Sequence, residues 1–396
     1  MRKIVVTLLL LLMPQGLGLF VGISKAATII FILSDGNIDP PTVPILRSGE
    51  VYSFSNDIYA EIVVQRSNII IDGSNFKLQG DRTLNSTGIY LSNVSNVVVK
   101  RVHVTEFFCA IKIANSKSCT ITENNVTNSD FGLWIEYSTE NIVSKNNLEN
   151  LWCGVNVAYS HKTQIFDNAL SISEYGIILD WSAENVVAQN NFTDNGSSIN
   201  LAWSKNNAVI GNLVIGKAKN SWQGIRLHSS SNNTILENRI ESTLYALRLL
   251  YDTTENTIRN NNISSNIYGV ITWYASNNTI YHNRFVGNNE QAKCYASSNW
   301  WDSGYPSGGN YWSNYAGVDE KSGANQDQPG SDGIGDTPYI IDDKNVDNYP
   351  LVGSQVKQGS PETLIFFYIL IAILATLIIA FPFALYKRKS QHKQIL

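Results

Sequence analysis

Methionine is almost missing from this chain: Met1 and Met13 are the only two, so nothing after residue 13 offers a thioether. Cysteine occurs four times, at Cys109, Cys119, Cys153 and Cys294, which is too few for a disulfide-rich secreted scaffold. Basic residues are fewer than acidic ones, 29 against 33, and they gather at the ends. Removing Arg2, Lys3 and Lys25 with a leader, and Lys387, Arg388, Lys389 and Lys393 with a tail, leaves 22 basic residues against the same 33 acidic ones. A body near −11 excludes general nucleic-acid binding. The tight motifs expected of polygalacturonases, pectate lyases or uronate epimerases are also missing.

What is present is a period. Asn124, Asn146, Asn168, Asn190, Asn212, Asn238, Asn261 and Asn283 follow one another at spacings of 22, 22, 22, 22, 26, 23 and 22 residues. A fixed period with a fixed landmark marks a solenoid. Three residues before the landmark stand Ile121, Val143, Ile165, Val187, Val209, Ile235, Ile258 and Ile280. Two after it stand Val126, Leu148, Leu170, Phe192, Val214, Ile240, Ile263 and Phe285. Neither column contains a polar residue. Further on, period-two alternation (Ile111, Leu133, Val155, Ile177 beside Ile113, Ile135, Val157, Leu179) argues strand, not helix. The consensus of leucine-rich repeats is absent. The expectation is an all-β, right-handed parallel β-helix with coils of about 22 residues, a C-terminal cap and one transmembrane helix. At the landmark the chain turns a corner, and a stacked Asn carries both the donor and the acceptor needed to satisfy it.

The organisation expected along the chain is a signal peptide over 1–26, an N-terminal cap and first strands over 27–66, and repeats over 67–296. A cap over 297–352 and a linker over 353–363 follow. The Leu364–Leu385 run is almost wholly apolar and long enough to span a bilayer over 364–386, and the basic residues after it make 387–396 cytoplasmic. The bulk of the chain is then extracellular. Cys109 and Cys153 share a column but stand two coils apart, about 9.6 Å. That exceeds the roughly 7 Å reach of a disulfide, so four unpaired thiols are expected. The 26-residue coil adds a protrusion near Lys217–Asn220, placed to gate the neighbouring face.

Three surface features bear on function. An aromatic column runs Tyr137, Tyr159, Trp181, Trp203, then Ser229, Tyr251 and Tyr274. Alternation points it inward; if the next column (Ser138, Ser160, Ser182, Ser204, Ser230) fills the corner, it turns outward with ring faces for sugars. Both orientations stay open. Beside it lie outward rows holding Trp134, Asp180, Asn200, Arg226, His228, Arg248 and Trp273, a polar and aromatic patch suited to a polysaccharide, including an acidic one. Glu136 and Asp180, two coils apart, are in loose range of an inverting glycosidase pair, though most β-helices carry some such pair. In the cap, Asp327, Asp332 and Asp336 surround Gly-permitted turns and resemble half of a calcium loop, interrupted by Gln328-Pro329-Gly330; the alternative is a turn-rich cap whose aspartates serve its own backbone. Calcium is therefore a candidate ligand, and no cofactor is required.

The repeat form G-h-x-h-x-x-S-x-N-x-h-x-x-N-x-h resembles NosD-type β-helices, within the wider set of carbohydrate-binding and sugar-hydrolase repeats. Asn299–Tyr315, Gly330–Tyr339 and Ile69-Ile-Ile-Asp-Gly73 resemble archaeal surface members, so the likeness covers about 28–352. It implies an exported β-helix without demonstrated activity, and the family name implies copper-site maturation. This sequence departs from the latter: its methionines lie in the leader, and His103, His161, His228 and His282 fall in different columns or distant coils. Sequons stand at Asn85, Asn93, Asn125, Asn191, Asn195, Asn232, Asn262 and Asn277; an Asn- and Thr-rich repeat produces them by chance, and they carry glycans only in an archaeal or eukaryotic setting. The expected function is a membrane-anchored, glycan-binding or envelope protein without catalysis. The alternatives are an exported polysaccharide lyase, hydrolase or epimerase, and a metal-site accessory factor.

Overall fold

The computed structural model describes residues 28–217 and 221–353. The expected signal peptide (1–26), membrane span (364–386) and tail (387–396), and most of the Lys217–Asn220 protrusion and of the linker, lie outside the described residues. Among those residues no helix is long and apolar enough to cross a membrane.

Runs of three to six β-formers separated by Asn, Ser and Thr leave room only for short strands, and these coil into three sheets of 13, 11 and 12 strands, parallel except for one antiparallel pair at the N-terminal end of the first and of the last. In the first sheet the strands from Thr87–Ser92 onward are six residues long, such as Phe131–Glu136 and Cys153–Ala158. The 11-stranded sheet uses three-residue strands such as Asn125–Thr127, and the 12-stranded sheet strands such as Thr120–Thr122. Each strand pairs in register with its equivalent one coil on, so Leu133 faces Val155 and Val155 faces Ile177. The sequence columns thereby become stacks. Ile121, Val143, Ile165 and Val187 are fully buried, as are Leu133, Val155 and Ile177, in one core running the length of the solenoid. Burying each such side chain is worth about 1.5–3 kcal/mol.

The corners explain the polar half of the repeat. A residue with positive φ precedes each buried polar rung: Lys145 (55°) before Asn146, Gln189 (56°) before Asn190, Trp181 (48°) before Ser182, Glu184 (58°) before Asn185. The left-handed residue turns the chain and points its side chain out; the next side chain points in. Asn146 donates from its backbone N–H (2.9 Å) and Nδ2 (3.0 Å) to Asn168 Oδ1, and from Nδ2 to the Ile121 carbonyl (2.9 Å). The same bonds recur from Asn124 through Asn283. Asn185, Asn207, Asn233, Asn256 and Asn278 form a second Asn ladder with the same geometry. A serine ladder runs along Ser116, Ser138, Ser160, Ser182, Ser204 and Ser230, each backbone N–H donating to the next Oγ at 3.0–3.1 Å.

Both Asn ladders end in the cap, on the short strand Asn345–Asp347. Asn283 donates to Asn310 Oδ1 and the Asn310 N–H to Asp347 Oδ2 (2.7 Å). Asn278 donates to Asn299 Oδ1 and the Asn299 N–H to Asn345 Oδ1 (3.0 Å). The same two acceptors receive the indole N–H groups of Trp312 and Trp301, both almost fully buried.

The four cysteines are free, three of them buried; Phe131 pairs with Cys109 on one side and Cys153 on the other. Burial pushes the Cys109 thiol up to about 12 and Cys119 up to about 11, so both act as small apolar side chains.

Candidate functional site

The aromatic column faces outward. Tyr137, Tyr159, Trp181 and Trp203 have positive φ of 46–49° and are about half exposed, while the serine after each is buried. Alternation fails here because it assumes extended residues, and a left-handed one reverses it. The outward orientation is therefore the one the chain adopts, and the rings also pack on one another. Neighbouring rings lie parallel, Tyr137 on Tyr159 at 5.1 Å and 5° and Trp181 on Trp203 at 5.5 Å and 9°. Stacking therefore covers part of each ring face, and each side chain stays about half exposed. Stacking of this kind is worth about 0.5–1.5 kcal/mol per pair and offsets the left-handed backbone.

The outward face of the first sheet is different. Its middle row runs Trp134, Asn156, Ile178, Asn200, Arg226 and Arg248 in strict register. Asn200, Arg226 and Arg248 are thus neighbours on consecutive coils, about 4.8 Å apart. His228 stands beside Arg226, whose guanidinium lies 3.4 Å from His228 Nδ1. Burial, then the Arg226 charge, holds His228 below its ordinary pKa. Asn200 is buried and accepts a hydrogen bond from Ser197 Oγ (3.0 Å). Its Nδ2, together with Gln223 Oε1, Arg226 Nε and Arg248 Nε, is buried without a partner among the described residues. Four such atoms on three adjacent coils contrast with the ladders, where each rung is bonded to the next.

The remaining sequence candidates are spread more widely. Trp134 lies three coils before Asn200, with Lys112 Nζ 5.0 Å over its ring, and Trp273 lies two coils beyond His228. Asp180 is half-buried two coils before His228, and burial raises its pKa. Glu136 is ion-paired to Lys112 at 3.0 Å. Glu136 and Asp180 share one row of one sheet face with Ala158 between them, rather than opposing each other across a cleft. A recess of about 610 Å³, absent from the sequence reading, opens at the edge of this face, lined by Phe108, Phe131, Trp152, Arg82, Asp130 and Glu174. Its signal was the column Phe108, Asp130, Trp152, Glu174, one residue before each long strand.

The cap aspartates serve the backbone. Asp336 accepts from the N–H groups of Glu320 and Lys321, Asp332 from Gly323 and Ile334, and Asp319 from Asp332 and Gly333. Asp327 accepts from Gln328 Nε2. The expected calcium loop at Asp327, Asp332 and Asp336 is not assembled among the described residues: the three carboxylates do not converge, Asp332 and Asp336 accept from backbone N–H groups and Asp327 from a side chain. Among the described residues no three His, Cys, Asp or Glu side chains converge as metal ligands. Of the sequons, Asn195 is buried and bonded within the solenoid, while Asn85, Asn93, Asn191, Asn232 and Asn277 are exposed.

The model of one family, described as periplasmic copper-binding protein (NosD), matches residues 67–217 and 157–317, more than half of the chain. The chain belongs to the NosD family. No curated protein matches it in sequence. Among solved structures, the A-module of a mannuronan C-5 epimerase from Azotobacter vinelandii is similar at 17% identity and a TM-score of 0.47, over 63% of this chain and 80% of that one. A periplasmic alginate epimerase follows at 13% and 0.47, over 65% and 80%. An exopolygalacturonase from Thermotoga maritima gives 13% and 0.45, over 62% and 76%. Likeness at this level bears on neither substrate nor reaction. The copper that the NosD description implies does not fit the donors described. Cys109, Cys119 and Cys153 are buried with thiols held protonated, His103 and His282 are engaged by Thr127 and Ser307, and His228 stands beside a cation.

Proposed function

We propose that this NosD-family chain is displayed on the cell surface and holds a glycan against the outward face of its first sheet without transforming it. The observation that carries this reading is the cluster of buried, unpartnered polar atoms at Asn200, Gln223, Arg226 and Arg248. A buried polar atom without a partner costs about 1–3 kcal/mol, a cost that a hydroxyl-rich ligand removes. Tyr175, Tyr245 and Tyr268 line the same face, with Tyr245 and Tyr268 stacked on each other at 5.2 Å, and leave such a ligand the ring surface that the stack does not cover. In this reading residues 1–26 are removed on export, 364–386 anchor the chain and 387–396 remain in the cytoplasm. The resemblance of Asn299–Tyr315 to archaeal surface proteins supports an envelope setting, in which the exposed sequons carry glycans.

A second reading rests on Asp180, a half-buried carboxyl with a raised pKa and no side-chain hydrogen bond among the described residues. It would serve as the acid of an exported lyase, hydrolase or epimerase. Full-length protein in detergent, applied to a polysaccharide array, distinguishes the readings. The proposal expects retention of at least one extended polysaccharide, weakened tenfold or so by Asn200→Ala, with the bound polymer recovered unchanged. Shortened or isomerised polymer, abolished by Asp180→Asn, would favour the enzyme. Retention of nothing would remove both.

A further inference from the structure

Cations elsewhere on the outward face of the first sheet have acids beside them. Lys112 reaches Glu136 at 3.0 Å and Lys293 reaches Glu290 at 3.1 Å. Arg226 and Arg248 do not, although they are direct partners on adjacent coils and repel each other. No carboxylate pairs with either among the described residues, and the Nε of each is buried and unbonded. Arg248 lies over the Tyr245 ring, its guanidinium carbon 4.8 Å from the ring centre, and Arg226 lies 3.4 Å from His228 Nδ1. One coil earlier in the same row, Asn200 Nδ2 adds a third unsatisfied donor. Three consecutive donors are therefore aligned along the solenoid axis.

We propose that this row selects an anionic polysaccharide, with a carboxylate or sulfate ester of the chain bound between Arg226 and Arg248 and a neighbouring sugar oxygen on Asn200 Nδ2. This rests on the glycan reading above and narrows its ligand class. Planar, bidentate donors match carboxylate and sulfate oxygens, and two guanidiniums side by side are tolerable once an anion lies between them. The alignment of donors at the strand spacing favours an extended chain lying along the axis over a compact ion. Burial and the neighbouring Arg248 both pull the Arg226 pKa down, the penalty that a bound anion would relieve.

The test measures binding of full-length protein to polygalacturonate, dextran sulfate and neutral dextran. Polygalacturonate or dextran sulfate should bind, the difference between them telling carboxylate from sulfate, and dextran should bind at least about tenfold more weakly. Arg226→Gln and Arg248→Gln should each weaken the anionic polymer roughly tenfold or more, while Lys293→Gln, an ion-paired cation on the same face, should leave it unchanged. Should either arginine variant fail to fold, the wild type still decides: its affinity for the anionic polymer must fall as sodium chloride rises from 50 to 500 mM, a range over which the screening length shortens about threefold. Dextran bound as tightly as the charged polymers, indifferent to both arginine variants and to salt, would overturn the anionic inference and leave the glycan reading standing. Failure of all three polymers to bind, with a neutral glycan retained on the array, would overturn it equally, and an empty array would remove the glycan reading itself.

Discussion

Asn190→Ala should lower the free energy of unfolding by roughly 3–5 kcal/mol, while Asn191→Ala, one residue on, should change it by less than about 0.5 kcal/mol. The Asn190 Oδ1 accepts from the backbone N–H (3.0 Å) and Nδ2 (2.9 Å) of Asn168, and its Nδ2 donates to the Ile165 carbonyl (2.9 Å) and to Asn212 Oδ1 (3.1 Å). Alanine removes all four bonds and strands the Asn168 N–H in the core. Asn191 is exposed. Asn190→Asp should be no milder, because it sets a buried carboxylate oxygen against Asn212 Oδ1. Equilibrium urea unfolding compares the three; similar midpoints for the two alanine variants would sink the ladder account.

The second large effect belongs to the cap. Asp347→Ala should release the region after Ser297, at a local cost of about 3–6 kcal/mol, because it strands the N–H groups of Asn310 and Trp312 together. Trp312, stacked between Phe285 (4.5 Å) and Tyr339 (4.3 Å), would then reach solvent. Red-shifted tryptophan emission and proteolytic trimming report this. The cap also carries a pH dependence. Burial pushes the Asp347 carboxyl up to about 7 from an ordinary 3.8, against the pull of the N–H donors around it. Between those values the folded cap holds a proton that the unfolded chain has released, so stability falls as pH rises from about 4 to 7 and then levels. Asp347→Asn should abolish that slope; an unchanged slope would show that another group carries it.

The solenoid was legible because burial and period coincide: one apolar residue three before and another two after each landmark Asn are the inward positions of two sheets. The second Asn ladder carries the same 22-, 26-, 23- and 22-residue spacings from Asn185 to Asn278, with Thr163 in its place one coil earlier, and corresponds to the first Asn of the repeat form. The aromatic column could not be oriented, since a positive φ at Trp181 or Tyr159 is invisible to alternation. The register of Asn200, Arg226 and Arg248 was readable; that their donors lack partners was not, because it depends on where each side chain settles. The calcium expectation failed for a related reason: spacing shows which aspartates are near one another, not which backbone N–H groups they already serve.

Hydroxyl-radical footprinting of the full-length protein, with and without saturating polygalacturonate, tests the central claim most directly. A ligand on the outward face of the first sheet should protect Tyr175, Tyr245 and Tyr268 and leave Tyr137, Tyr159, Trp181 and Trp203 as reactive as before. Protection of that stacked corner column, or of neither surface, would contradict it.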